Sequence, residues 1–142
     1  MTIRKMTEKD LDALRRLLSD PKVMRYLEPP YTEEQTERFL RTAGLSDPPL
    51  VYAVEEQGRF LGYVICHAYD GESDEIGWVL FPEYWGKGYA SALTERMIRN
   101  ARASGRRLVI ECDPEQRATR HIAEKFGFRQ EGFAEGLLVY RL

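Results

Sequence analysis

IGWVLFPEYWGKGYASAL, residues Ile76–Leu93, joins a strand-like run to a helix-like one through a turn that holds two glycines one residue apart. Glycine costs roughly 1 kcal/mol relative to alanine inside a helix, so its placement at a helix start needs a reason. One is anion binding. The first N–H groups of a helix lack intrahelical acceptors and the helix dipole favours negative charge there, and without side chains at Gly86 and Gly88 a phosphate reaches the main chain, with Ala90 keeping the first turn clear. The other is a plain tight strand-to-helix turn. The stretch lacks the Ser/Thr after lysine of a phosphate-binding P-loop and is not the GxGxxG of dinucleotide folds.

Working outward, EIGWVLF closes a run of three strands. LVYAVEE and RFLGYVICHAY precede it, joined by a turn at Gln57-Gly58, and DGESD forms the loop before it. TIRKM reads as a first strand. Thr7 with Asp10, and Thr32 with Gln35, are capping signals for two helices, the first with Leu11, Leu14, Leu17 and Leu18 on its apolar face and the second running to about Ala43. After the glycine turn, Leu93, Met97, Ile98 and Ala101 share one helix face that ends at Gly105. RLVIEC is a strand. Pro114 and Glu115 open a last helix that buries Ala118, Ile122, Ala123 and Phe126, and a hairpin around Glu135-Gly136 closes the chain. This order predicts an α/β fold with a mixed sheet in three layers.

At 142 residues, with 43% hydrophobic and 31% charged residues, the chain has the size and composition of one soluble globular domain over 1–142. Its apolar runs fall far short of a membrane span. The charged N-terminus has no secretory character, which points to a cytoplasmic protein without a membrane partner. Cys66 and Cys112 match no metal spacing and read as buried free thiols in strands. Residues 1–80 carry 10 Lys/Arg against 15 Asp/Glu, and residues 81–142 carry 11 against 8. An acidic half and a basic half suit a cationic ligand on one side and an anionic one on the other, or are scattered solvated charge. The net charge of −2 and the lack of a basic-aromatic surface motif speak against nucleic acid.

IGWVLFPEYWGKGYASAL followed by EKFGFRQEG resembles the GNAT superfamily of acetyl-CoA-dependent N-acetyltransferases, and VMRYLEPPYTEEQ extends the likeness to its RimJ/RimL-like branch, whose members acetylate protein N-termini and other amines. The resemblance covers residues 2–142. It implies the GNAT fold: a mixed, mostly antiparallel sheet of about seven strands with about four helices, splayed between the fourth and fifth strands. It also implies acetyl-CoA as acetyl donor, with no metal, and an amine acceptor that is a small molecule or a protein N-terminus. A homodimer is possible.

Carried over residue by residue, the resemblance implies that the backbone of Val79, Leu80 and Phe81 pairs with the pantetheine arm. It puts the pyrophosphate on the turn formed by Trp85, Gly86, Lys87, Gly88, Tyr89 and Ala90, with Trp85 in the first motif position. Gln116 and Thr119 replace the family's Asn and Ser. One of Arg96, Arg99, Arg102, Arg106 and Arg107 would reach the 3'-phosphate, and the others form a solvated face. Ala123 stands where many relatives have the tyrosine that protonates the thiolate, leaving Thr119 as the nearest hydroxyl.

Direct acetyl transfer needs a neutral amine, while α-amines and lysines have pKa values of about 8 and 10.4, so a base must take the proton. Glu75 is the first candidate and His67 the rival. Backbone N–H of Val79 or Leu80 would meet the charge on the carbonyl oxygen. Tyr26, Glu28, Tyr31 and Glu34 are the expected acceptor contacts. The readings in play are therefore an N-acetyltransferase acting on a primary amine, a GNAT-fold CoA-binding module with weak or no turnover, and an unrelated nucleotide-binding α/β domain.

Overall fold

Thr32 accepts a hydrogen bond from the Gln35 N–H at 3.2 Å while the Gln35 side chain accepts from the Thr32 N–H at 2.8 Å, so the second capping box closes as its spacing predicts. In the computed structural model, which describes residues 1–142, the chain builds β1 (Thr2–Arg4), α1 (Leu11–Leu18), α2 (Pro21–Met24), α3 (Glu33–Phe39), β2 (Val51–Glu56), β3 (Arg59–Ala68) and β4 (Ser73–Leu80). It continues through α4 (Tyr89–Ser104), β5 (Arg107–Cys112), α5 (Arg117–Lys125), β6 (Arg129–Ala134) and β7 (Leu137–Arg141). The strand order is β1-β2-β3-β4-β5-β7-β6. β4 and β5 run parallel, and their ladder covers only Ser73–Glu75 against Arg107–Val109 although β4 continues to Leu80 and β5 to Cys112. This is the GNAT fold, with the opening after the β4–β5 ladder that the resemblance implies.

The chain divides into two interleaved units. The first comprises Met1–Ile65 and Trp78–Lys87. Its core gathers Leu14, Leu17 and Leu18 of α1 with Met6, Met24, Leu40, Ala53, Tyr63 and Val79. Each fully buried leucine contributes roughly 1.5–3 kcal/mol of transfer free energy. Thr7 and Asp10 form the first capping box, on a short 3-10 turn that leads into α1. Asp10 is only 5% exposed. It accepts from both terminal nitrogens of Arg4 at 2.8 and 2.9 Å and from the Thr7 N–H at 2.8 Å, and Arg4 also reaches Glu55 at 3.2 Å. α3 continues past Phe39 as a wider turn over Leu40–Gly44, so the helix ends one residue beyond the expected Ala43.

Gly62 lies inside β3 at φ +148°, where a Cβ would stand 2.0 Å from the Val79 carbonyl oxygen and 2.8 Å from Leu80 Cα. Only glycine lets the two backbones approach so closely.

The second unit comprises Cys66–Gly77 and Gly88–Leu142. Leu93, Met97, Ile98 and Ala101 of α4 are buried as read from the sequence, with Thr94 beside them. Gly88 at φ +86° starts α4 and Gly105 at φ +71° ends it. The closing hairpin turns through Glu135 and Gly136, both at positive φ.

Three readings need correction. β4 begins at Ser73 rather than Glu75, because the Asp70 carboxylate accepts from the N–H groups of Glu72 and Ser73 and closes the loop early. α5 begins at Arg117, not Pro114. The Asp113 carboxylate takes the Glu115 N–H and the Asp113 carbonyl takes the Gln116 N–H, making a turn in place of a first helical turn. Ala118 is exposed; of the four residues assigned to the buried face of α5, only Ala123 is fully buried.

Candidate active site

In the turn after β4, the Tyr84 N–H bonds to the Phe81 carbonyl and the Trp85 N–H to the Pro82 carbonyl. No acceptor within the protein is assigned to the backbone N–H groups of Gly86, Lys87, Gly88 or Ala90, and Gly86 and Gly88 both have positive φ with open space where a Cβ would stand. Gly86, Lys87 and Gly88 are exposed and Ala90 half-buried, just before and at the start of a 16-residue helix. Such an arrangement accepts an anion.

The β4 edge is less free than the sequence implies. The Phe81 N–H is donated to the Leu61 carbonyl at 3.0 Å, because the pairing with β3 runs past the end of β4. The Trp85 indole N–H bonds to the Leu80 carbonyl at 2.9 Å while its ring is 49% exposed. Val79 and Leu80 are buried.

In the second unit, β3 and β4 bring together the two candidate bases. His67 Nε2 stands 3.7 Å from Glu75 Oε1, an ion-pair spacing longer than a hydrogen bond. His67 Nδ1 lies 3.0 Å from the Ala68 carbonyl oxygen. A carbonyl only accepts, so Nδ1 carries the proton of that contact and Nε2 is the nitrogen that faces Glu75. Burial pushes the Glu75 carboxyl above its ordinary value; His67 opposes that shift and the nearby Glu111 adds to it. Tyr69 donates to Glu111 at 3.4 Å, and Arg141 lies over the Tyr69 ring at 5.5 Å. Sequence reasoning missed Glu111 and Tyr69; Tyr69, just past the end of β3, stands two residues from His67, and that two-residue spacing is the signal that finds it.

Of the other residues expected in the second unit, Thr119 is half-buried in the first turn of α5. Gln116 turns its side-chain oxygen back to the Asp113 N–H at 2.8 Å. Tyr89 is the first residue of α4 and Lys87 is exposed. Arg106 departs from the expected basic face, since its guanidinium holds the carbonyls of Asp70, Gly71 and Ser73 and the Asp74 carboxylate at 2.9–3.2 Å. Cys66 and Cys112 are free thiols. Burial raises both, Cys112 to about 11, so neither is poised as a thiolate nucleophile. No three His, Cys, Asp or Glu side chains gather as a metal site requires.

The proposed acceptor residues belong to the first unit. The Tyr31 hydroxyl donates to Glu28 at 2.5 Å, and burial together with Glu28 pushes that phenol up to about 12. Tyr31 packs edge-on to Phe39, with ring centroids 6.2 Å apart, and Phe39 packs on the buried Tyr63 at 5.3 Å. Tyr26 carries Arg25 over its ring at 5.0 Å, and Glu34 is exposed on the first turn of α3. The structure thus joins Glu28 to Tyr31 and leaves Tyr26 and Glu34 to separate surroundings.

A parallel strand pair that parts early, followed by a glycine turn with free amides, defines an acetyltransferase-type fold. A family model described as acetyltransferase (GNAT) domain matches residues 1–129, and the chain belongs to that family. It is 30% identical over 138 residues to the uncharacterized N-acetyltransferase YnaD of Bacillus subtilis (strain 168), covering 94% of this chain and 81% of YnaD. The crystal structure of a GNAT-family acetyltransferase from Bacillus anthracis superposes with a TM-score of 0.85 at 29% identity, covering 99% of this chain and 92% of that one. RimL, a ribosomal L7/L12 alpha-N-protein acetyltransferase in complex with coenzyme A, superposes at 0.82 with 23% identity and the same coverage.

Proposed function

We propose that the protein transfers the acetyl group of acetyl-CoA to a primary amine, a peptide N-terminus or a small cationic amine, by direct attack. The observation that carries this reading is the set of N–H groups on Gly86, Lys87, Gly88 and Ala90 without acceptors in the protein. These amides and the N-terminal dipole of α4 offset the charge of a diphosphate. The early end of the β4–β5 ladder supports a place for the pantetheine arm along β4. Val79 and Leu80 supply that edge, while the Phe81 N–H is already given to Leu61 and its carbonyl already accepts from the Tyr84 N–H. The bound coenzyme supplies an activated thioester.

Glu75 takes the proton the amine must lose. A half-buried carboxyl with a raised pKa is a stronger base than an exposed one and nearer to matching an amine, and His67 beside it is the alternative base. The Val79 or Leu80 N–H faces the carbonyl oxygen as it becomes negative, and Thr119 is the hydroxyl assigned to the departing sulfur. Glu28 with Tyr31, joined by Tyr26 and Glu34, gives the acceptor side its negative charge, which suits a cationic amine. A protein N-terminus, the kind of acceptor that RimL's description gives for RimL, is one acceptor class to test, and the RimJ/RimL-like branch, a cytoplasmic location, one domain across 1–142 and a homodimer belong to the same proposal.

A panel of amines assayed by release of free CoA tests the reading, with Glu75→Gln as control. Amine-stimulated CoA release that falls by about 10²-fold or more in Glu75→Gln supports it. Binding of CoA without release for any amine favours a CoA-binding module instead.

A further inference from the structure

Just before the glycine turn, the first unit contains a cleft of about 410 Å³ lined by Arg16, Arg59, Phe60, Phe81, Glu83 and Tyr84. This is within the range of small-molecule sites. Phe60 and Phe81 meet edge to face, with ring centroids 6.4 Å apart, and form an apolar wall. The charges around it are unbalanced. Arg15, on the same helix, is committed to Asp12 at 3.1 Å and Glu37 at 3.4 Å, whereas neither Arg16 nor Arg59 has a carboxylate within ion-pair distance.

We propose that this cleft is a ligand site distinct from the diphosphate-binding turn, sharing only Phe81 with the proposed coenzyme edge, and that it takes a small aromatic monocarboxylate. The two guanidinium forks suit a planar carboxylate, which they bind with paired hydrogen bonds. The aromatic wall suits a flat apolar body. Glu83, also in the lining, lowers the net positive charge to one and disfavours dianions such as phosphate monoesters. None of the lining residues belongs to the Gly86–Ala90 run, so the site does not draw on the amides that would hold a diphosphate.

The test uses the full chain, isotope-labelled, titrated in the absence and in the presence of saturating CoA with phenylacetate and separately with its neutral isostere phenylacetamide. Saturable shifts of the Phe60 and Phe81 resonances, with phenylacetate binding about tenfold or more tighter than the amide, are expected. So are a loss of about tenfold or more in the Arg16→Gln/Arg59→Gln double variant and weaker binding of phenyl phosphate. Equal binding of acid and amide, an unaltered affinity in the double variant, or displacement of phenylacetate by CoA overturns the proposal; the last outcome makes the cleft part of the coenzyme site. The acid–amide comparison is made on the unsubstituted protein and is independent of the variant's folding.

Discussion

His67 Nε2 and Glu75 Oε1 face each other across β3 and β4 at 3.7 Å, each side chain less than a third exposed. At this spacing, beyond hydrogen-bond reach, the two side chains act on each other through charge. Burial and the like charge of Glu111 both raise the Glu75 carboxyl, and His67 opposes them. A base with a raised pKa is lost as the pH falls through that value, so the rising limb of kcat/KM is expected above the ordinary carboxylate range. Glu111→Gln removes a like charge and should move that limb to lower pH with little loss of plateau rate. His67→Ala removes the opposing partner and should move it higher. Limbs that coincide in all three proteins would exclude Glu75 as the base.

Trp85 holds the Leu80 carbonyl through its indole N–H at 2.9 Å. Trp85→Phe keeps an aromatic ring and removes the donor. A hydrogen bond of this kind contributes about 1 kcal/mol, which for a chain of this size lowers Tm by about 4 °C. The bond ties the first residue of the turn to the strand before it. Its loss should loosen the amides of the glycine turn and raise the Kd for CoA about three- to tenfold in calorimetry. A Kd within error of the parent would show that the indole bond does not position the turn.

Asp10 provides a stability test remote from the chemistry. Burial alone would raise its carboxyl, but the Arg4 hydrogen bonds and the Thr7 N–H hold it below the ordinary value. A group whose pKa is depressed by folding stabilises fully above its unfolded value, near 3.9, and loses that contribution as the pH falls through the lower folded value. Asp10→Asn should cost about 2 kcal/mol at pH 7 in urea unfolding. The gap between variant and parent should shrink steadily below about pH 4. A gap that stays constant down to pH 2 would assign the cost to packing rather than to the ion pair.

The parts of this structure that are readable in the sequence are those set by local chemistry. The capping boxes at Thr7 and Thr32 and the turns at Gln57-Gly58 and Glu135-Gly136 depend on residues within four positions of one another. The glycine turn is readable for the same reason, since free amides at a helix start follow from chain order alone. What escapes are partners brought together by pairing of distant segments. Arg106 is 35 residues from the Gly71 carbonyl it binds, and nothing in the run of arginines around it marks it apart. Arg4, Asp10 and Glu55 meet because β1 lies against β2. The neighbours of Glu75 depend on the register of β4 against β5, which places Glu75 opposite Val109 and Glu111 two residues further along.

Gly62 lies in plain view as a glycine inside a strand, a known mark of close backbone approach. Its neighbour is the segment on which the proposed coenzyme contacts depend. A Cβ there would press on the Val79 carbonyl oxygen at 2.0 Å and on Leu80 Cα at 2.8 Å, and both are main-chain atoms that cannot rotate away. Gly62→Ala should therefore cost about 4 kcal/mol or more, or leave the protein insoluble. Gly88 separates the clash from the strain of the backbone angle, because at φ +86° a Cβ on it would meet nothing within 4 Å; Gly88→Ala should cost only about 1–2 kcal/mol. Denaturant unfolding of the two variants side by side decides the matter. A Gly62→Ala protein as stable as Gly88→Ala would mean that β3 and β4 can separate at this point without penalty, and the edge formed by Val79 and Leu80 would then not be the rigid support that acetyl transfer along it requires.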